Sequence, residues 1–499
     1  CGILAWVSTP STNEPVRPAQ VGWRDLQCFG GLCDNNRLDS CRPIEGNCSM
    51  FHFCRFAIGA RSVGARSVVA RSIVAAISAL LAALILAPCS DADDSTGWTQ
   101  FRGSNGDGVT AKSLPTKWSP ESNLRWRTEL PGNGWSSPVT VGDRVYLTTA
   151  IPVTPDGTET RISADSPGED DQTLALLIVD AESGRLLRQV SVMEQSSERP
   201  PKVHAKNSHA SPTPIIDGNR LFVHFGYQGT ACLTLDGDPL WVNRDLYFQP
   251  THGNGGSPIL VGDRLIFTCD GDQEPKVVAL DANTGRLAWQ VRRPVQASKT
   301  FSFCTPSAFD VDGKTQVVAP GSDCVQALDP ETGETIWEFE YQGYSVVPKP
   351  VLDSGLVFLS TGFNNAKMLA IEPTGRGAVT DSHLRWQVDR NVPKTPSMIA
   401  HEGLVYSISD DGIAMCVEAE TGELVYRKRI GGKFSASPLL AGDYLYFTSE
   451  QGVTTVIKAG PEFEVVAEND LEERTLASLA VVDNSILLRT AEAIYRIGN

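Results

Sequence analysis

Seven histidines occur in 499 residues, and four of them, His204, His209, His224 and His252, lie close together. His209 and His252 hold equivalent places, in Asn207-Ser208-His209 and Thr251-His252-Gly253-Asn254, each just ahead of a Pro-containing strand start. Imidazoles so placed could ligate a metal or hydrogen-bond within loops. The second reading is the expectation, and no metal site is assigned. Other strand starts are preceded by Asn133 and Trp135, by Lys299 and Phe303, by Lys394, and by Lys433 and Phe434. Ordinary turns favour Gly, Asp and Ser. This set of amides, imidazoles, amines and aromatics is instead suited to holding a polar ligand. Three lysines in a chain of net charge −16 would form a local positive funnel for an anionic or carbonyl-bearing ligand. The plainer alternative is that these side chains fill a channel and satisfy loop backbone. No Ser-His-Asp order with a nucleophile elbow, no HExxH and no kinase-type catalytic loop occurs, so no catalytic residue is assigned. The glycine-rich run at 97–108 has no strand before it, no helix pattern after it and no closing Lys-Ser/Thr. It reads as a packed arm rather than a phosphate cradle.

A repeat must position these residues. Residues 257–290 contain four short apolar runs joined by turn signals, which predicts one antiparallel four-stranded sheet. The start of this unit recurs at Pro138, Pro214, Pro258, Pro306, Pro350, Met398, Pro438 and Leu479, 40 to 48 residues apart except for one larger gap. Its last strand recurs around Trp241, Trp289, Trp337, Trp386 and Tyr426. Four strands per unit at this period are the signature of a β-propeller. Residues 124–130, with Trp126 in the Trp place, form a last strand that has no first three. The C-terminal 476–488 and 493–497 supply the missing strands. Pairing of the two termini would close the ring and remove its open edge. The fold class expected is all-β, an eight-bladed propeller over 124–499 preceded by an arm at 93–123. Two insertions, 151–172 and 194–207, should rise on one face beside the first blade, and a smaller one at 372–383 on the other.

The acidic balance argues against nucleic acid as a partner. Six of twelve cysteines lie in residues 1–54. Cys232, Cys269, Cys304, Cys324 and Cys416 sit in or beside apolar strands of the repeats and read as buried small hydrophobes. Residues 1–49 lack periodicity and are read as a mis-assigned or unstructured extension, the alternative being a true cysteine-rich segment. Met50, the arginines after it and the apolar run 73–87 describe a secretory signal peptide over 50–92. Leu86-Ala87-Pro88-Cys89 is similar to a lipoprotein cleavage box, and lipidation of Cys89 would tether the chain to a membrane. Cleavage near Ala92 is the plainer choice.

The turn before each last strand reads Ala279, Asp281, Thr284, Gly285 and Trp289 in one unit, and Ala327, Asp329, Thr332, Gly333 and Trp337 in another. Both resemble the tryptophan-docking motif Ala-x-Asp-x-x-Thr-Gly-x-x-x-Trp of the pyrroloquinoline quinone (PQQ) propeller superfamily. The resemblance covers residues 98–499. It implies that each Trp packs between blades while Asp and Gly shape the turn. One branch of that superfamily, the quinoprotein dehydrogenases, holds PQQ under an adjacent Cys-Cys disulfide beside calcium and a catalytic Asp. No Cys-Cys pair occurs in this chain. The other branch is non-catalytic and is typified by the eight-bladed lipoprotein of outer-membrane β-barrel assembly.

The reading expected is an exported, monomeric binding or scaffold propeller of the bacterial envelope, in the periplasm or at the membrane, without PQQ. Its partner would be an envelope protein or a small polar or anionic ligand at one channel mouth. A PQQ-dependent oxidoreductase and a hydrolase or lyase of envelope or polysaccharide substrates are the alternatives.

Overall fold

Residues buried on both faces need no polar alternation, and the inner strands here have none. Leu356–Ser360 and Cys324–Leu328 are buried at every position, whereas the outermost strand Leu124–Glu129 alternates between partly buried and exposed. A computed structural model of the chain describes residues 97–153, 171–196, 203–246, 248–271 and 274–498. The expected extension at 1–49, the signal peptide at 50–92 with Cys89, and most of the 151–172 insertion lie outside the described residues.

Each repeat forms a four-stranded antiparallel blade, and there are eight. Blades 1 to 7 run over 139–195, 215–243, 259–292, 307–340, 351–388, 399–429 and 439–470. Blade 8 is made of Ala480–Val482, Ser485–Arg489 and Ala493–Ile497, with Leu124–Glu129 as its outer strand. The register there is antiparallel, with Leu124 opposite Ile497 and Glu129 opposite Ala493. Closure by the two termini is therefore observed.

Blades are joined by the Trp-bearing outer strands. Trp126, Trp241 and Trp386 donate their indole N–H to the carbonyls of Ala181, Ala282 and Ala419 in the next blade, at 2.9, 3.0 and 2.9 Å. Trp289 does the same to Pro330 at 2.9 Å. The receiving turn is braced by its Asp. Asp281 Oδ1 accepts from Thr284 N and Oγ1 at 2.9 and 2.8 Å, and Asp329 does so from Thr332 at 2.9 and 3.0 Å. Gly285 sits at φ +69°, and a Cβ on it would lie 2.4 Å from Trp241. Glycine is required there both for the turn and for the approach of the neighbouring indole.

Trp337 departs from the rule. It is fully buried and donates to Gln316 Oε1 at 2.8 Å, and Gln316 Nε2 reaches Pro373 O of blade 5 at 3.4 Å. Blade 5 carries its insert here. Gly377–Ala378 pairs in parallel with the outer strand Thr335–Glu340, and Val379 beside it joins the cluster around Trp337. A glutamine relay replaces the direct bond.

The five repeat cysteines are buried thiols without disulfides. Burial pushes Cys232 up to about 11 and Cys324 and Cys416 up to about 12, so they stay protonated and inert.

The arm crosses one end of the central channel. Thr99 O accepts from Ile216 N of blade 2 at 2.8 Å, and Gly108 O from Leu440 N of blade 7 at 2.9 Å. Arg102 donates to Met398 O of blade 6 at 2.6 Å, and Lys349 Nζ of blade 5 to Gly106 O at 2.7 Å. Val109–Thr110 then pairs in parallel with Leu439–Ala441. The glycine-rich run is thus a plug, as its lack of strand and helix context suggests.

Candidate functional site

The residue that opens each inner strand begins the site. Seven of the eight such residues are hydroxyls: Ser137, Thr213, Ser257, Thr305, Ser397, Ser437 and Ser478. They form a stitched ring. Backbone N–H groups of Ser137, Thr213 and Ser257 donate to the hydroxyls of Thr213, Ser257 and Thr305 at 3.0, 2.9 and 2.9 Å. Those of Lys349, Ser397 and Ser437 donate to Ser397, Ser437 and Ser478 at 3.0, 3.0 and 2.9 Å. The eighth position is Lys349, whose ammonium turns down to the arm. Burial, with Arg102 beside it, brings its pKa down to about 7.

Above the ring opens a cavity of about 660 Å³ with the arm's Phe101 among its lining residues. That volume falls in the usual range of small-molecule sites, roughly 300–1,000 Å³. Its walls come from the loops that lead into the inner strands and from loops joining second to third strands. One wall is aromatic. His204 and His252 meet edge to face at 5.6 Å, His252 and Phe301 at 5.3 Å, Phe301 and Tyr344 at 5.8 Å, and Tyr344 and Phe363 at 5.8 Å. Lys394 Nζ lies 5.2 Å above the Phe363 ring, a cation–π contact. His252 holds its place at φ +72°, with its carbonyl accepting from His204 N and Asn207 Nδ2 at 3.2 and 3.0 Å. The segment 203–208 also reaches across to blades 7 and 8. Lys206 pairs with Glu450 at 2.6 Å, and Arg474 Nη2 donates to Ala205 O at 2.9 Å.

Of the residues collected from the loops ahead of the strand starts, Trp135, Asn207, His252, Lys299, Phe303 and Lys394 line this cavity. The others do not. Asn133 is buried in a bridge to Ala150, its N–H and C=O both used at 2.8 and 2.9 Å. Asn254 packs its amide where a Cβ on Gly226 would lie, 1.7 Å from Nδ2. Phe434 is in the core with Ile408 and Phe447, because its backbone points the ring between blades. His209 is off the lining. Lys433 stands on the exposed rim and is paired with Asp411. The expected funnel of three lysines therefore reduces to Lys299 and Lys394.

The histidine cluster separates likewise. His204 and His252 face the cavity, whereas His224 is buried beside Phe267 and bonded to Thr230 Oγ1 at 2.8 Å. Among the described residues no group of three or more His, Cys, Asp or Glu could hold a metal. Burial pushes the His224 pKa from 6.5 down to about 3. Between those values the unfolded chain takes up a proton that the folded chain refuses, so stability rises with pH over that window and levels off above it. The slope from this group alone reaches roughly 1.4 kcal/mol per pH unit. His224→Gln is expected to flatten the acid limb of urea-denaturation stability measured from pH 4 to 7. Parallel curves for the two proteins would contradict this.

Sequence reasoning named His204 only within the histidine cluster, and it missed Phe301, Tyr344, Phe363, Asp410 and the floor pair Arg102 and Lys349. Reading the loop ahead of Pro350 in the same way would have found Tyr344. Nothing periodic marks Phe363 or Asp410, which come from loops between second and third strands.

A family model described as outer membrane protein assembly factor BamB matches residues 170–384 and 378–491. No curated protein matches the chain. Similar solved structures include quinohemoprotein alcohol dehydrogenase from Comamonas testosteroni, at 12% identity and TM-score 0.58, covering 82% of each chain. A europium-containing methanol dehydrogenase is 11% identical at TM-score 0.55, covering 80% of this chain and 91% of its own. BamB from Moraxella catarrhalis is 14% identical at TM-score 0.49, covering 75% and 99%. At these identities the structures share the fold alone with this protein. The family match spans most of the propeller, and the chain belongs to the family described as outer membrane protein assembly factor BamB.

Proposed function

We propose that this protein is an exported, non-catalytic binding propeller of the bacterial envelope, with its ligand or partner held at the channel mouth. The observation that carries the reading is a one-ended cavity. The arm plugs one end, while Phe301, Tyr344, Phe363, Lys299 and Lys394 surround the other. The envelope setting is drawn from the family's description and from the signal-peptide pattern at 50–92.

The resemblance to the PQQ propeller superfamily raises PQQ with calcium as a cofactor, and the residues present do not fit it. The chain has no Cys-Cys pair to form the lid. The cavity's carboxylates are engaged. Asp410 accepts from Lys394 N, Thr395 N and Thr395 Oγ1 at 2.7, 3.3 and 2.7 Å, and Asp411 pairs with Lys433. Protein incubated with PQQ and calcium is expected to lose the quinone's visible absorbance on gel filtration. Stoichiometric retention would overturn this.

A photo-crosslinking residue placed at Phe363 in the mouth is expected to give adducts in intact envelopes, while one at Asp312 gives none. The Lys299→Ala, Lys394→Ala double variant should lose the adducts with stability changed by no more than about 0.5 kcal/mol, as for ordinary surface positions. Equal adducts from both positions, or none from the mouth, would sink the proposal.

A further inference from the structure

The cavity supplies hydrogen-bond donors without partners. Thr213, Ser257, Thr305, Ser397, Ser437 and Ser478 each accept a backbone N–H from the neighbouring blade. Their own hydroxyl protons have no acceptor among the described residues, and all six residues line the cavity. Two further donors there are buried with no partner, the indole Nε1 of Trp135 and Oγ of Ser137. Trp135 is 6% exposed and Ser137 is 1% exposed. Lys299 and Lys394 add positive charge on the aromatic side. The acceptors that could have balanced these donors, Asp410 and Asp411, are already occupied.

A buried donor needs an acceptor, and an unpaired one costs roughly 1–3 kcal/mol. The occupant that suits this cavity is therefore rich in oxygen acceptors and carries negative charge. The row of Phe301, Tyr344 and Phe363 asks in addition for apolar faces to pack on the rings. A peptide backbone pairs each C=O acceptor with an N–H donor, whereas the ring and glycosidic oxygens of a sugar only accept. A sugar also brings hydroxyls that accept as well as donate, and C–H faces that lie against aromatic side chains. We infer that the mouth recognises an acidic saccharide, one whose carboxylate or phosphate meets Lys299 and Lys394 while its oxygens take up the free hydroxyl protons. This inference rests on the reading of the mouth as a binding site.

Ser137 gives a test that separates binding from folding. Its Oγ has no partner in the protein, so Ser137→Ala removes no internal bond and should leave the melting temperature of the free protein unchanged or raised. Trigalacturonate, glucose 6-phosphate, maltotriose and tri-glutamate would be titrated into the whole protein by calorimetry, with intrinsic tryptophan fluorescence as a second signal. Either acidic sugar should bind, and which one does identifies the anionic group. Maltotriose should be at least tenfold weaker. Lys299→Ala with Lys394→Ala should weaken the acidic sugar at least tenfold and abolish its salt dependence, and Ser137→Ala should weaken it about threefold or more. Failure of both acidic sugars, or equal binding of maltotriose, overturns the inference. Tri-glutamate binding in their place, with the same sensitivity to the lysine variant, would overturn the saccharide class and leave the mouth as a binding site. Loss of both the titrations and the mouth crosslinks would remove the two readings together.

Discussion

Deletion of residues 98–130 is expected to yield a chain that aggregates and shows no cooperative melting. Three separate supports leave with that segment. The first is the outer strand of blade 8, whose loss bares the edge of Ala493–Ile497 along its full register from Ile497 to Ala493. An unpaired edge of this kind templates association between chains. The second is apolar burial. Trp98, Leu114, Trp118 and Leu130 are each 5 or 6% exposed and belong to the cluster that packs blades 7, 8 and 1 together. Removing one buried Trp side chain alone costs roughly 3–5 kcal/mol, against a total stability of about 5–15 kcal/mol for a typical domain. The third is the plug, which satisfies buried cations. Without it Lys349 loses Gly106 O and would be left unpaired in the ring, and Met398 O loses the guanidinium of Arg102. Static light scattering and differential scanning calorimetry are the measurements. A narrower variant, Trp126→Ala, keeps the arm and removes only the indole that docks on Ala181 at 2.9 Å. It should remain monomeric with a lowered melting temperature. A soluble deletion protein with a single sharp transition would show that the ring does not depend on its terminal strand.

The propeller was readable in the sequence because each blade must meet the next in the same way. That constraint repeats Asp281, Gly285 and Trp289 as Asp329, Gly333 and Trp337. Where an insert relieved the constraint, at 372–383, the prediction for Trp337 missed the glutamine relay, since Gln316 lies twenty-one residues away and carries no motif. The mouth was readable only in part. Residues within seven positions ahead of the strand starts fall in equivalent loops, so Trp135, Asn207, His252, Lys299, Phe303 and Lys394 could be collected. Whether a side chain in such a loop enters the cavity or turns into the core depends on local backbone, and Phe434 turned inward. Charge balance was hidden too. Asp411 and Glu450 sit in loops between second and third strands, and their pairing with Lys433 and Lys206 joins elements with no sequence relationship. The floor was the least readable, because Lys349 meets Gly106 across 243 residues.

The buried pair Asp270 and Arg293 carries the second large effect. The two side chains are 0% and 1% exposed and meet through two bonds, Nε to Oδ1 at 3.1 Å and Nη2 to Oδ2 at 2.8 Å. Arg293 also donates to Ala319 O at 2.5 Å and Pro320 O at 3.0 Å, so the guanidinium of blade 3 is held within blade 4. The fit leaves no room, for a Cβ on Gly321 would lie 2.7 Å from the guanidinium. Asp270→Ala leaves a buried cation without its countercharge and is expected to destabilise by roughly 3–5 kcal/mol. An apolar replacement of the whole pair carries no such orphan. The double variant Asp270→Ala with Arg293→Met should therefore recover much of the loss, although the bonds to Ala319 and Pro320 disappear. Gly321→Ala should be destabilising for the steric reason alone and should not be rescued by Asp270→Ala. Urea denaturation of the four variants at pH 7 separates these cases. Asp270→Ala within about 1 kcal/mol of the native protein, well under the usual cost of breaking such a pair, would mean that water or a neighbouring group reaches the guanidinium. A double variant no more stable than Asp270→Ala would instead mean that the carbonyl bonds to blade 4, rather than the ion pair, hold these two blades together.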